Sequence, residues 1–223
     1  MIKKLQIICL IIAILFIPLS IYGKYSILHL SYLDYYQTAF YNIYYSDDIK
    51  NQYPYLSELI IEDISNYQDL FNNSPYVLVV TINDIEIIGE GIINKCTVDK
   101  VIKGKKLQQD NKINIYDHAF VFSQYAGTYF EGAIPLQIDK QYIIFIDKAP
   151  NPNISNSYIF KSIKYGSFKI DNQSNYYLLN DENMTLKQIS NYDYVSKNNA
   201  DIIKYEQLYQ EIKEKLLSTS DIN

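Results

Sequence analysis

Arginine and tryptophan are missing from this 223-residue chain, and all twenty of its basic side chains are lysine. Nucleic-acid binding rests on cations gathered on one face and on the bidentate fork of the guanidinium. A chain without Arg and with a formal net charge of -5 argues against that role, and no nucleic-acid partner is expected. Cysteine is nearly missing too: only Cys9 and Cys96 occur. Cys9 lies inside an apolar leader, which leaves Cys96 alone in the mature domain and excludes an internal disulfide there. Histidine is limited to His29 and His118. A zinc site wants three or four His, Cys or carboxylate ligands, and two His with one free Cys leave little to build it from. No Gly-x-Ser-x-Gly elbow and no other catalytic, metal or nucleotide motif occurs. Catalytic, cofactor-binding and metal residues are therefore assigned as none, and no cofactor is expected.

What is present belongs to a globular chain. Hydrophobic residues make up 48% and charged residues 20%, too apolar for a disordered segment. Tyrosine is abundant at 24 residues. Ile, Asn, Lys and Tyr all have AT-rich codons, so the excess reads as genome bias. The Tyr pairs at 35–36, 44–45, 53/55 and 176–177 are read as core and spacer residues, not as a sugar-stacking surface.

The first segment is the clearest signal. Lys3 and Lys4 precede an unbroken apolar run over 7–17, followed by Pro18 and small residues to Gly23. A basic start, an apolar stretch and a helix breaker form a signal sequence. The alternative is an uncleaved anchor: residues 5–22 are just long enough to span a bilayer, with the lysines holding the N-terminus inside. Residues 1–23 are thus a signal sequence or membrane anchor. The rest is expected outside the cytoplasm, attached to the membrane through residues 5–22 if they are not cleaved, or secreted.

Three further segments follow. Residues 24–73 form a membrane-proximal, Tyr-rich helical segment. Within it Pro54 opens a helix whose Leu56, Leu59, Ile60, Ile64, Tyr67, Leu70 and Phe71 recur at spacings of 3 and 4. Residues 74–199 read as a β domain. Its strands are expected at 76–82, 91–103, 112–118, 141–148, 157–164, 166–170 and 176–179, each bounded by Asn, Pro, Gly or Asp. The first is apolar on both faces, the mark of a covered central strand. In the second, Ile92, Cys96 and Val98 share a face until the phase slips to Val101, which predicts a bulge. Val77, Val79, Ile113, Ile115, Ile144 and Phe145 are the expected core. Residues 200–223 form a C-terminal helix over 201–217 whose stripe of Ile202, Tyr205, Tyr209, Ile212 and Leu216 must dock on something. The fold class is mainly β (α+β): a small OB-like barrel with an N-terminal hydrophobic or helical segment and a C-terminal helix packed on it.

The succession SPYVLVVTI at 74–82, CTVDKVIKG at 96–104, KINIYD at 112–117, IPLQIDKQYIIFI at 134–146 and YGSFKI at 165–170 resembles bacterial exported OB-fold domains of the tissue-inhibitor-of-metalloproteinase-like (netrin-like) type. The shared features are a buried first strand, a second strand ending in V-x-K-V-x-K-G, and an apolar strand after a polar turn. The resemblance implies the barrel over about 74–171. It does not imply protease inhibition, because the inhibitors that name the fold use an N-terminal Cys amine and several disulfides, and this chain has neither.

Individual candidates weigh the same way. His118 follows Asp117, and Ser123 lies five residues on. Neighbours on a regular strand point to opposite faces, so this Asp should not orient this His, and His118 is read as a surface histidine at a strand end. Cys96, among apolar neighbours in phase, is read as core filler. Asp171, Gln173, Asn175 and Glu182 match positions 1, 3, 5 and 12 of a calcium loop, but Tyr176 stands where that loop needs Gly; a polar hairpin turn is expected. The lysines at 95, 100, 103, 105 and 106 either touch anionic lipid or a wall polymer or protect a strand edge from aggregation; the second is favoured. The function expected is an exported or membrane-anchored, non-enzymatic binding or interaction module at the cell surface, with its protein or cell-envelope partner unidentified. The alternative is a cell-surface hydrolase.

Overall fold

The structure, a computed structural model, describes residues 32–38, 40–44, 61, 63–89, 91–123, 126–130, 132, 134–150, 154–170, 175–180 and 184–217. Residues 1–23, His29, and residues 54–60 and 62 of the expected helix from Pro54 lie outside these residues. Among the described residues no helix is long and apolar enough to cross a membrane.

The elements run α1 (Tyr32–Thr38), β1 (Phe40–Tyr44), α2 (Tyr67–Asn73), β2 (Tyr76–Ile88), β3 (Gly91–Lys103), β4 (Lys112–Ser123), β5 (Ala126–Phe130), β6 (Gln141–Lys148), β7 (Ser157–Phe160), β8 (Ser167–Lys169), β9 (Tyr176–Leu178), α3 (Leu186–Ile189), β10 (Tyr194–Ser196) and α4 (Asn199–Ile212). Five strands close a barrel. β2 pairs antiparallel with β3 and β6, β3 with β4, and β6 with β7. The ring is completed by a parallel pairing of β4 with β7, in which Ile115 faces Tyr158. β8 adds to β6, and β5 and β1 extend the far part of β4 as a flap. A separate parallel pair joins β9 to β10.

The local sequence explains the corners. Gly89, Gly104, Asp110, Asp139 and Asn156 have positive φ, and these are residue types that tolerate the left-handed region at a tight turn. The slip predicted between Val98 and Val101 is real: Val80 faces Val98 while Val79 faces Lys100, and Leu78 faces Val101 while Val77 faces Lys103. Asp99 and Ile102 are thus extra residues, and they bend β3 around the barrel. β3 and β6 span the expected 91–103 and 141–148. β7 is shorter than expected. After Phe160 the chain turns, held by the Lys161 amide donating to the Phe145 carbonyl at 2.8 Å and the Tyr165 amide donating to Ser162 Oγ at 3.1 Å.

The helix expected from Pro54 is corrected in its described part. Residues 63–65 are not helical, and α2 begins only at Tyr67, where the Asn66 side chain accepts from the Asp69 amide as an N-cap. The Ile61 amide is taken by the Lys161 carbonyl at 2.7 Å, so the chain here is tied to the end of β7 instead of coiling. The stretch 184–199 also carries structure. Thr185 and Gln188 form a capping box that starts α3, and Leu186, Ile189, Tyr194 and Val195 are fully buried.

Alternate residues of the central strands feed two cores. Leu78, Val80, Ile82, Ile144 and Ile146 point into the barrel with Ile113 and Ile115. Val77, Ile143 and Phe145 point outward onto Phe168, Tyr205, Leu208, Tyr209 and Ile212. All six expected core residues are buried on strands. α4 docks on this outer face, with Leu208, which the expected stripe omitted, at 1% exposure. Beyond Ile212 the last turn widens into a π-helical stretch, Lys213–Leu217.

Candidate functional site

β4 departs from regular alternation at its middle. Ile93 faces Tyr116 and Gly91 faces Phe120, so residues 117–119 of β4 stand opposite the single residue Ile92. A bulge of this kind re-aims side chains. It also coincides with the point where β4 leaves β7, whose last partner is Tyr116, and takes up β5 at Ala119. The outcome is that Asp117 and His118, neighbours in sequence, line the same cavity. The expectation that strand alternation would send them to opposite faces fails here for that reason. Nor is His118 a surface residue at a strand end: it sits inside β4, half-buried, with its ring 5.1 Å from that of Phe160.

The cavity is polar and very small. Lys164, Ser167, Asp193 and Tyr205 join Asp117 and His118 around a volume of about 20 Å3, room for one water molecule. Two glycines let its walls approach. A Cβ on Gly166 would lie 2.3 Å from the Ser162 carbonyl oxygen, and one on Gly132, whose φ is +87°, would lie 2.7 Å from the Tyr194 hydroxyl. The charged lining is already engaged. Lys164 pairs with Asp201 at 2.7 Å, and Asp193 pairs with Lys169 at 3.4 Å while accepting the Asn175 amide at 2.8 Å. Asn94, fully buried on β3, donates from Nδ2 to Asp117 Oδ2 at 3.0 Å.

Burial sets the protonation of the pair. Asp117 and His118 keep some exposure as whole residues, but His118 Nε2 is shut off from solvent. Desolvation pushes the Asp117 carboxyl up to about 6, against the opposing pull of hydrogen bonds from the Asn94 side chain and the His118 amide. Desolvation likewise pushes His118 down to about 4, although its bond to the Ser162 backbone favours the charged form. Each group is thus biased toward its neutral state, the reverse of what an Asp–His ion pair does.

Leu136 separates this cavity from a second concavity. On its other side lies a groove of about 380 Å3 lined by Tyr32 and Tyr36 of α1, Asp84 and Ile85 of β2, and Leu136, Gln137 and Ile138 of the segment before β6. This volume is in the range of small-molecule sites, which are mostly apolar with a few placed polar groups. α1 is pinned over the barrel by fully buried Tyr35, and Tyr36 Oη donates to Ser190 Oγ beside α3. Gln137 holds the opposite wall: its amide donates to the Tyr142 hydroxyl at 3.1 Å and its Nε2 to the Ser190 carbonyl. Ile138 remains 43% exposed at the rim. Burial first, and the nearby Asp117 charge second, push the Tyr32 phenol well above its usual range.

The remaining candidates fall into structural places. The lysine run does not form one patch. Lys95 is shared by Asp84 at 3.1 Å and Glu86 at 2.8 Å, and Lys103 donates to the Phe71 and Asn72 carbonyls at 2.7 and 3.1 Å, capping the C-terminus of α2. Cys96 is 1% exposed, donates Sγ–H to the Asn94 carbonyl, and has its thiol pushed far up by burial, as expected of a core residue. Of the calcium-loop positions, Asp171, Gln173 and Glu182 lie outside the described residues, and the Asn175 amide bonds Asp193. Among the described residues no three His, Cys, Asp or Glu side chains gather as a metal site would require. Sequence reasoning missed both concavities. One signal for their frame was legible, the Thr185-x-x-Gln188 capping box that places α3 beneath α1. The chain matches no model of a known protein family, and no curated protein matches it.

Proposed function

We propose that the chain is an exported, non-enzymatic binding module built on an OB-like barrel, delivered or tethered by its first residues. The observation that carries the reading is the groove beside Leu136: about 380 Å3, lined chiefly by Tyr32, Tyr36, Ile85, Leu136 and Ile138. The fold part rests on connectivity. Taking β2, β3, β4, β6 and β7 as strands one to five, the ring runs one, two, three, five, four, with strands three and five parallel. This order and the one parallel contact support the OB-like part of the reading. The tether rests on the lysine-led apolar run over 7–17. Hydrolysis, the competing reading, would be expected to use the converging polar groups around His118. That cavity has room for one water molecule only, and its Lys164 and Asp193 are paired with the neighbouring Asp201 and Lys169.

The test uses the full chain in detergent with the neutral fluorophore 1-aminoanthracene. Subtracting the titration of Ile138→Asp, which carries the same leader in the same micelle, is expected to leave a saturable one-to-one component. His118→Ala is expected to bind as the unaltered chain does. Identical titrations for the unaltered chain and Ile138→Asp overturn the reading. A reporter that is active only outside the cytoplasm, fused after residue 30, checks export; an inactive fusion found soluble inside overturns that part.

A further inference from the structure

We infer that the occupant of the groove is an acyl chain of an amine-bearing, zwitterionic phospholipid. This deepens the binding reading and rests on it. Three observations support it together. The first is reach. Tyr32, which begins the groove wall, follows Tyr22 at the end of the apolar leader by ten residues. At ~3.3–3.6 Å per residue the link spans at most about 35 Å. A leader in the bilayer therefore keeps the groove near the headgroups.

The second is lining. Tyr32 and Tyr36 present amphipathic rings of the kind that settle at a membrane–water interface. Ile85 and Leu136 make a buried apolar floor, at 5% and 2% exposure, and Ile138 stands exposed at the mouth. An exposed Ile at the rim of an apolar slot forfeits transfer free energy in water and recovers it against hydrocarbon. The polar atoms of Tyr36 and Gln137 are turned toward Ser190 and Tyr142, so the slot asks for an occupant without hydrogen-bonding groups along its length.

The third is charge. Asp84 and Glu86 share the single ammonium of Lys95 at 3.1 and 2.8 Å. Two carboxylates against one cation leave one negative charge on this cluster, whose Asp84 lines the groove, on side chains roughly half exposed. An anionic headgroup is repelled there, whereas an ammonium-bearing headgroup is attracted. A free fatty acid places a carboxylate at the same rim and is disfavoured for the same reason.

The experiment reconstitutes the full chain in phosphatidylcholine vesicles doped with phosphatidylethanolamine that carries a diazirine on one acyl chain. After illumination the labelled peptides are sequenced. Label is expected on the peptides bearing Tyr32, Tyr36 or residues 136–138, as well as on residues 5–22. Ile138→Asp, checked for an unchanged melting temperature, is expected to lower the groove label about tenfold, the scale of losing one buried aliphatic contact. Moving the diazirine chain to phosphatidylglycerol is expected to lower it as well. Label confined to 5–22 shows an anchored chain with no lipid in the groove and overturns the inference. Equal groove label from both headgroups overturns it too. Saturable 1-aminoanthracene binding with no lipid label in the groove sinks this inference while leaving the binding reading standing; loss of both removes the two together.

Discussion

The two faces of the barrel wall are covered by different chemistry. Inside, β2, β4 and β6 contribute Leu78, Val80, Ile82, Ile113, Ile115, Ile144 and Ile146, aliphatic side chains that fill a ring of five strands. Outside, β2 and β6 contribute Val77, Ile143 and Phe145 to a layer in which half the buried side chains are aromatic. There Phe168 lies 4.7 Å from Tyr205, Tyr205 lies 4.3 Å from Tyr194, and Phe145 meets Phe168 edge-on at 6.0 Å. A closed barrel leaves a narrow interior that branched aliphatics fill in few rotamers. A helix laid on a curved sheet leaves wider, flatter gaps, and stacked rings close these with about 0.5–1.5 kcal/mol per pair beyond their buried area. The outer layer therefore depends on one element, α4, which brings two of its rings and three of its aliphatic side chains, whereas the inner layer depends on closure.

Removing that element should have the largest effect. α4 brings Ile202, Tyr205, Leu208, Tyr209 and Ile212, all buried. At roughly 1.5–3 kcal/mol for each large apolar side chain, their combined burial is on the scale of a whole domain's stability, about 5–15 kcal/mol. Deleting residues 200–223 is expected to abolish a cooperative thermal melt and produce a chain that binds hydrophobic dyes. A truncated chain that melts at the original temperature and stays monomeric would show the inner core to be self-sufficient.

Point substitutions on one strand sharpen the contrast. Phe145→Ala opens the aromatic layer and is expected to cost about 3–5 kcal/mol; Ile144→Val, its neighbour pointing the other way, should cost about 0.5–1.5 kcal/mol. Urea unfolding of both reads the difference. Equal costs would mean that the outer layer relaxes around the loss, and that the rings serve as filler without specific stacking.

Much of this division could be read from residues alone. The unbroken apolar run at 76–82 announces a strand covered on both faces, and the spacing of Ile202, Tyr205, Tyr209 and Ile212 announces what covers one of them. The bulges at Asp99 and Ile102 left a visible slip of phase. The bulge at 117–119 left none, because Asp117, His118 and Ala119 do not alternate in polarity in a way that a slip would disturb. The groove was also illegible. Tyr36, Ile85 and Ile138 are brought together only by the docking of α1 across the barrel, and nothing in the spacing of three distant segments encodes that meeting.

The smallest effect concerns the polar defect lying between the two layers, where it appears only when one of two opposed titrations is removed. Asp117 is raised from its ordinary 3.8 to about 6. Its folded-state proton is the favoured one, so the stability it contributes is full below pH 3.8 and is lost as the pH rises through 6. His118 is lowered from 6.5 to about 4. Its neutral form is the favoured one, so its contribution is full above pH 6.5 and is lost as the pH falls through 4. Each shift corresponds to about 3 kcal/mol. Between pH 4 and 6 the folded chain holds a protonated carboxyl and a neutral imidazole, while the unfolded chain holds a carboxylate and an imidazolium. The proton counts match, so the two slopes cancel and the pair adds no pH dependence in that window. Asp117→Asn removes one side of the balance, and stability relative to the unaltered chain should then climb with pH from about 4 to 6. His118→Gln removes the other, and relative stability should fall from pH 4 to 6.5. Urea midpoints measured at half-unit steps of pH should therefore give two curves diverging in opposite senses from that of the unaltered chain. Parallel curves would mean that water reaches both groups and that the bulge shelters neither.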